Sequence, residues 1–160
     1  EDRRLLKLID VNEQNWLDIR ELSVSEPQKG FLDSAVGILA RGYVYRHNRA
    51  RVIGIADNDT MIGVALVKDL DEEPACYDLQ QFMIDARFQG KGFGTAALRM
   101  IMSELEKERK YNCVEVCVKK KRRRSASGLR KGRICRYRLH RRGSTGLPEP
   151  DVLLLIKYRH

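Results

Sequence analysis

Histidine and cysteine are too few and too scattered in this sequence to build a metal centre. There are three histidines, His47, His140 and His160, and four cysteines, Cys76, Cys113, Cys117 and Cys135. No two cysteines form a CxxC pair and the histidines add no ligand spacing, so no metal is expected. Cys113 and Cys117 fall on one face of a single strand, where small buried thiols are ordinary. Reduced core thiols of a cytoplasmic protein are expected rather than a disulfide. Long apolar runs are lacking as well. The run LLLI at 153–156 is far too short to span a bilayer, no stretch reads as a signal peptide, and no membrane partner is expected. There is no internal repeat. Neither a GxxxxGK[ST] phosphate loop nor a GxGxxG turn after a first strand is present, which argues against nucleotide hydrolysis and dinucleotide binding.

The 160 residues suit one domain with a full-sized core. The net charge of +9 suggests an acidic partner, but its distribution says otherwise. Of 31 Lys/Arg and 22 Asp/Glu, 15 and 2 lie in 119–160, a net of +13; residues 1–118 keep 16 against 20, a net of −4. The front is a mildly acidic globular sequence, and the basic excess belongs to the end alone. A boundary is therefore expected at 118, with a basic, unstructured segment over 119–160.

The patterning gives an element order. Leu5–Val11 suits a strand, and Asn12 offers an N-cap for a helix through Trp16, Ile19 and Leu22. Pro27 and Gly30 break the loop Ser23–Gly30. Apolar residues at helical spacing predict a second helix over Asp33–Arg46. Arg51–Ala56 and Met61–Lys68 read as a hairpin around the Asp57-Asn58-Asp59 turn, with Gly63 at a bulge or close approach. After an acidic turn at Asp69–Pro74, Ala75–Ile84 is a long strand of mixed faces. The segment RFQGKGFGTAALRMIMSELEKE then becomes an amphipathic helix that buries Ala97, Leu98, Ile101, Met102 and Leu105, and VEVCV is a strand. A helix between two strands usually makes them parallel neighbours.

Gln89-Gly90-Lys91-Gly92-Phe93-Gly94-Thr95 lies between that long strand and that helix. Glycines let a backbone approach a ligand closely. The helix's first N–H groups and its dipole favour an anion, and Lys91 adds positive charge. A glycine turn that merely caps a core helix is the alternative on the motif alone. In context the segment resembles the acetyl-CoA-binding motif of the GNAT superfamily of N-acetyltransferases, Q/R-x-x-G-x-G/A, here Gln89-x-x-Gly92-x-Gly94 after FMID. The resemblance covers about residues 3–118. FMIDARFQGKGFGTAALR and SVSEPQKGFL, at 23–32, are most similar to bacterial spermine/spermidine acetyltransferases.

That resemblance implies an α/β fold with a mixed, mainly antiparallel sheet flanked by helices, and acetyl-CoA as co-substrate without a metal. Backbone N–H groups of Gln89, Gly90, Lys91, Gly92, Phe93, Gly94 and Thr95 would hold the pyrophosphate. The strand end Phe82, Met83 and Ile84 would splay from its neighbour, admit the pantetheine arm and supply an oxyanion-hole N–H. A small-molecule amine, a polyamine such as spermidine or spermine, would be met by carboxylates: Glu26 first, then Tyr77 and Asp78. Asp71, Glu72 and Glu73 would draw in a polycation at longer range. A homodimer through a sheet edge is also implied.

The end of the chain departs from the family pattern. After VEVCV the family implies a helix near N-x-x-A-x-x-x-Y-x-K-x-G-F and two more strands; KKKRRRSASGLRKGRICRYRLHRRG stands there instead. Two readings are open. One is a basic arm on nucleic acid phosphates, though Tyr137 is its only aromatic and base stacking is unsupported. The other, which is favoured, is a reading frame displaced by one base. Reading each codon's last two bases with the next codon's first lets Leu129 become tyrosine, Arg130 glutamate, Arg133 glycine and Ile134 phenylalanine. This restores YEKAGF at the family's distance from VEVCV. As written, Leu129 occupies the position of the proton-donating tyrosine, no catalytic residue is assigned, and a catalytically impaired acetyl-CoA-binding domain is the further alternative.

Overall fold

The computed structural model describes residues 5–30, 32–73, 75–118 and 133–139. Strands β1 (Leu6–Asp10), β2 (Arg51–Asp57), β3 (Thr60–Leu70), β4 (Cys76–Ile84), β5 (Cys113–Val118) and β6 (Arg133–Arg138) form one sheet in that order. Every neighbouring pair is antiparallel except β4–β5, the parallel pair joined by helix α3 (Phe93–Glu108). Helices α1 (Trp16–Arg20) and α2 (Ala35–Val44) lie between β1 and β2 in sequence.

The sheet is covered on both faces. On one, Leu98, Ile101, Met102 and Leu105 of α3 pack against Val67, Tyr77, Leu79, Val114 and Val116. On the other, Ile19, Leu22, Ala35 and Ile38 pack against Val64, Leu66 and Met83. The stripe expected on α3 is the buried one, because side chains three and four residues apart share a helix face. Truncating such a residue to alanine costs about 2–5 kcal/mol.

Two helices are shorter than the sequence pattern predicts. The Asn12 side chain accepts the Gln14 N–H at 2.8 Å, an Asx turn that delays α1 until Trp16. α2 starts only after Ser34, whose hydroxyl accepts the Gly37 N–H at 3.0 Å. Asn58 takes the left-handed conformation its turn needs (φ 54°). Close approach at Gly63 is real: a Cβ there would stand 2.6 Å from the Met83 carbonyl oxygen. Cys76 is buried and Cys113 half-buried, and neither is in a disulfide among the described residues.

The expectation of no ordered structure after Val118 is corrected at 133–138, which form β6 against β5 from Cys113↔Arg138 to Val118↔Arg133. The physical reason is that an open strand edge is satisfied by any backbone N–H and C=O row, whatever charges flank it. Residues 119–132 and 140–160 lie outside the described residues.

One buried charge ties the sheet end together. The Asp69 carboxylate, at the end of β3, accepts Arg49 Nε–H, Lys110 Nζ–H and the Tyr111 hydroxyl, the last at 3.1 Å. Burial alone would raise this carboxyl; Lys110, Arg49 and Tyr111 more than offset it and hold it below the usual range. Its contribution is therefore complete above the ordinary aspartate value of about 4 and is lost as pH falls through the lower, folded one. Asp69→Ala should destabilise the fold by about 3 kcal/mol at neutral pH in urea titrations, with the difference from wild type shrinking in acid.

Candidate active site

The site grows from one irregularity in β4. Leu66 pairs with Gln81 and Val67 with Leu79, so Gln80 is an extra residue on β4, a β-bulge. The bulge exchanges the two faces of the strand. Before it, Tyr77 and Leu79 point into the α3 core; after it, Phe82 and Ile84 do, while Met83 joins the α1–α2 core. Gln81 also turns to the α2 side, where its Oε1 accepts the Asp33 N–H at 3.1 Å.

The bulge also marks where β4 and β5 part. Their parallel ladder covers Tyr77↔Val114, Asp78↔Glu115 and Leu79↔Val116 and goes no further. Residues 80–84 continue beside β3, but β5 continues beside β6. No ladder joins Phe82, Met83 and Ile84 to β5.

The glycine turn follows β4 along the chain. Gly90 (φ 74°) and Gly92 (φ 87°) are left-handed, and a Cβ on either would meet nothing within 4 Å, so their outer side is open space. Gly92 is the N-cap of α3 and offers no side-chain cap. The first intrahelical bond is Ala96 N–H to the Gly92 carbonyl at 3.2 Å. The N–H groups of Gly94 and Thr95 precede it and have no acceptor within the helix. Thr95 Oγ1 is buried without a hydrogen-bond partner, as befits a group awaiting an acceptor. Gly94 lets α3 lie against β4: a Cβ there would sit 3.6 Å from Ile84 Cγ1. Open left-handed glycines, helix-end donors and an orphaned hydroxyl fit a pyrophosphate. The Lys91 ammonium lies 5.7 Å from the centre of the Phe88 ring.

The remaining expected residues fare differently. The Gln89 side chain points inward: Nε2 donates to the Ile84 carbonyl at 2.8 Å and to Gln28 Oε1 at 3.0 Å. Glu26, on a 3-10 turn before α2, is exposed and paired with Lys29. Asp78 is close to Lys68 (3.4 Å), on the α2 side, and burial pushes its carboxyl up while Lys68 opposes the shift. Tyr77 is a correction. It is 1% exposed, its hydroxyl donates to the Leu105 carbonyl at 3.3 Å, and its ring meets Tyr111 edge-on at 4.9 Å. A bulky ring on the α3 face of a buried strand packs in the core and cannot reach a substrate. Leu129 lies outside the described residues. Sequence reasoning missed Gln28, although Ser25-x-x-Gln28 is a legible capping box. It also missed Asp33, Arg41, Gln80 and Gln81, for which no local signal exists.

The family model for the acetyltransferase (GNAT) family matches residues 16–129. The chain belongs to this family. It is a GNAT-type N-acetyltransferase and acetyl-CoA is its co-substrate. No curated protein sequence matches the chain. Among the solved structures that share the fold are three. The ribosomal-protein-S18-alanine N-acetyltransferase of Escherichia coli is 16% identical, with a TM-score of 0.58 over 88% of this chain and 98% of that one. The PaiA N-acetyltransferase of Thermoplasma acidophilum, in complex with coenzyme A, is 10% identical, with a TM-score of 0.58 over 84% and 99%. AtaTR bound with acetyl-CoA is 14% identical, with a TM-score of 0.53 over 71% and 74%. Among the described residues, no helix is long and apolar enough to cross a membrane, and no His, Cys, Asp and Glu group could hold a metal ion.

Gly92→Ala separates fold from binding. The left-handed backbone costs an alanine about 1 kcal/mol, since its Cβ meets no neighbouring side chain. That Cβ would occupy the open side of the turn. Calorimetric titration should show acetyl-CoA affinity lowered about tenfold or more, beyond what a loss of about 1 kcal/mol in stability explains.

Proposed function

We propose that this GNAT enzyme acetylates a primary amine of a small polycation, a polyamine such as spermidine or spermine, in the cytoplasm. The observation that carries the reading is the end of the β4–β5 ladder at Leu79, followed along the chain by the open left-handed glycine turn of residues 89–95. In this reading the N–H groups of residues 89–95 hold the pyrophosphate and the strand edge of Phe82, Met83 and Ile84 aligns the pantetheine arm. A strand N–H polarises the thioester carbonyl. The amine, once deprotonated, attacks that carbon, the carbon–sulfur bond breaks, and the thiolate takes up a proton.

Acceptor charge selects the substrate class. A polyamine offers a second ammonium a few bonds from the reacting amine, and a carboxylate beside the site is its natural partner. Glu26 is exposed on the loop that contacts Gln89, and among the described residues it is paired with the surface residue Lys29. A surface pair of this kind contributes about 0–1 kcal/mol, so an incoming ammonium can replace Lys29. Asp33 and Asp78 lie on the α2 side of β4, paired with Arg41 and Lys68 respectively.

An amine panel tests this. With acetyl-CoA, spermidine and spermine should give kcat/KM about tenfold or more above a peptide with an N-terminal alanine. Glu26→Gln should raise the spermidine KM several-fold while leaving the acetyl-CoA KM unchanged. A peptide acetylated faster than every polyamine would overturn the substrate class.

The same reading extends to residues 119–160 as a displaced frame, because the charge balance breaks at 118, just past β5. Sequencing the gene across codons 115–130 should find an inserted or missing base. A frame-corrected chain should then turn over spermidine at least tenfold faster, having regained a tyrosine in place of Leu129. A single confirmed open frame would refute the displacement.

A further inference from the structure

Residues 23–28 and 84–89 are sewn together although some sixty residues separate them in sequence. The Ser23 N–H donates to Asp85 Oδ2 at 3.0 Å, and the Ala86 N–H donates to the Ser23 carbonyl at 2.8 Å. Gln28 and Gln89 then exchange amides: Gln28 Nε2 donates to Gln89 Oε1 at 3.1 Å, and Gln89 Nε2 to Gln28 Oε1 at 3.0 Å. The same Gln89 Nε2 reaches the Ile84 carbonyl at 2.8 Å, at the last residue of β4. Gln28 is 5% exposed, so neither amide is readily replaced by water. Its Oε1 also accepts the Ser25 N–H at 3.2 Å, which closes the turn that carries Glu26.

The geometry points to Gln28 as a positioning residue that couples acetyl-CoA binding at 89–95 to the order of the acceptor loop at 23–29. This rests on the reading of 89–95 as the pyrophosphate turn. Gln89 is the first residue of that turn, and its side chain faces away from the open side of Gly90 and Gly92 and into the acceptor loop. A ligand that fixes the turn fixes the Gln89 amide, and the Gln89 amide has two complementary bonds to one partner. Fixing Gln28 in turn fixes the Ser25–Gln28 turn and hence the direction of Glu26. Coupling of this kind is reciprocal: a polycation held by Glu26 would tighten acetyl-CoA by the same factor. An apolar contact between the loops would pack equally well, but paired amides fix orientation, because a donor and an acceptor on each must both be aligned.

Hydrogen–deuterium exchange of the full chain, with and without coenzyme A, tests the coupling. In the wild type, coenzyme A should slow exchange at 89–95 and, about fivefold or more, at 23–30. In Gln28→Leu, which keeps the volume but not the amide, protection at 89–95 should persist while that at 23–30 falls below about twofold. The thermal midpoint of the free Gln28→Leu protein, together with its retained protection at 89–95, reports that it is folded, which separates coupling from folding. Protection at 89–95 with none at 23–30 in the wild type overturns the coupling and leaves the pyrophosphate turn intact. No protection at 89–95 overturns both.

Discussion

A single extra residue, Gln80, is the constraint on which the site depends. A strand that pairs on both sides throughout its length leaves no room for a ligand. β4 pairs with β3 along its whole course but with β5 only over Tyr77–Leu79. The bulge falls at that limit, and bulged strands bend and twist more strongly than regular ones. It also explains how Ile84 and Phe82 come to face α3: with regular alternation through Gln80, Gln81 and Met83 would point there, and polar Gln81 would be driven into the apolar core. The contact between Ile84 and Gly94 then seats the start of α3 beside the end of β4, and with it the donors of the first turn.

The left-handed glycines meet a different demand. The chain must turn from strand into helix while leaving N–H groups pointed outward and unobstructed. Gly90 and Gly92 adopt positive φ at little cost where other residues would be strained. The inward Gln89 side chain does the complementary work, holding the turn to Ile84 on one side and to Gln28 on the other. The open face of the turn is thereby kept for a ligand, and its closed face is used for structure.

How much of this the sequence discloses depends on how local the cause is. α3, its buried stripe and the glycine turn are written in consecutive residues, and so is the hairpin at Asn58. The parallel β4–β5 pair follows from the helix between them. The bulge at Gln80 is not legible, because Leu79-Gln80-Gln81-Phe82 is compatible with regular alternation through either glutamine. Tyr77 reads equally well as a core aromatic or a site residue until the strand face is known. Partners such as Gln28 and Gln89, or Asp69 with Lys110, are brought together by topology alone. β6 was hidden for another reason: composition reports whether a segment can build a core, whereas an edge strand needs only a backbone to pair with.

The distribution of charge completes the picture. Carboxylates stand on the α2 side of β4 and in the Asp71–Glu73 turn, within residues 1–118, which are net negative. In the proposed reading coenzyme A would bring its anionic phosphates to the glycine turn, where donors come from backbone rather than from many basic side chains. An amine acceptor and an anionic donor would thus be met by fields of opposite sign. Helix-end N–H groups are suited to this division, since they bind phosphate without placing full positive charges near the site of a cationic acceptor. The Gln28–Gln89 pair joins the two loops with neutral amides, which would pass alignment from one to the other without disturbing either field.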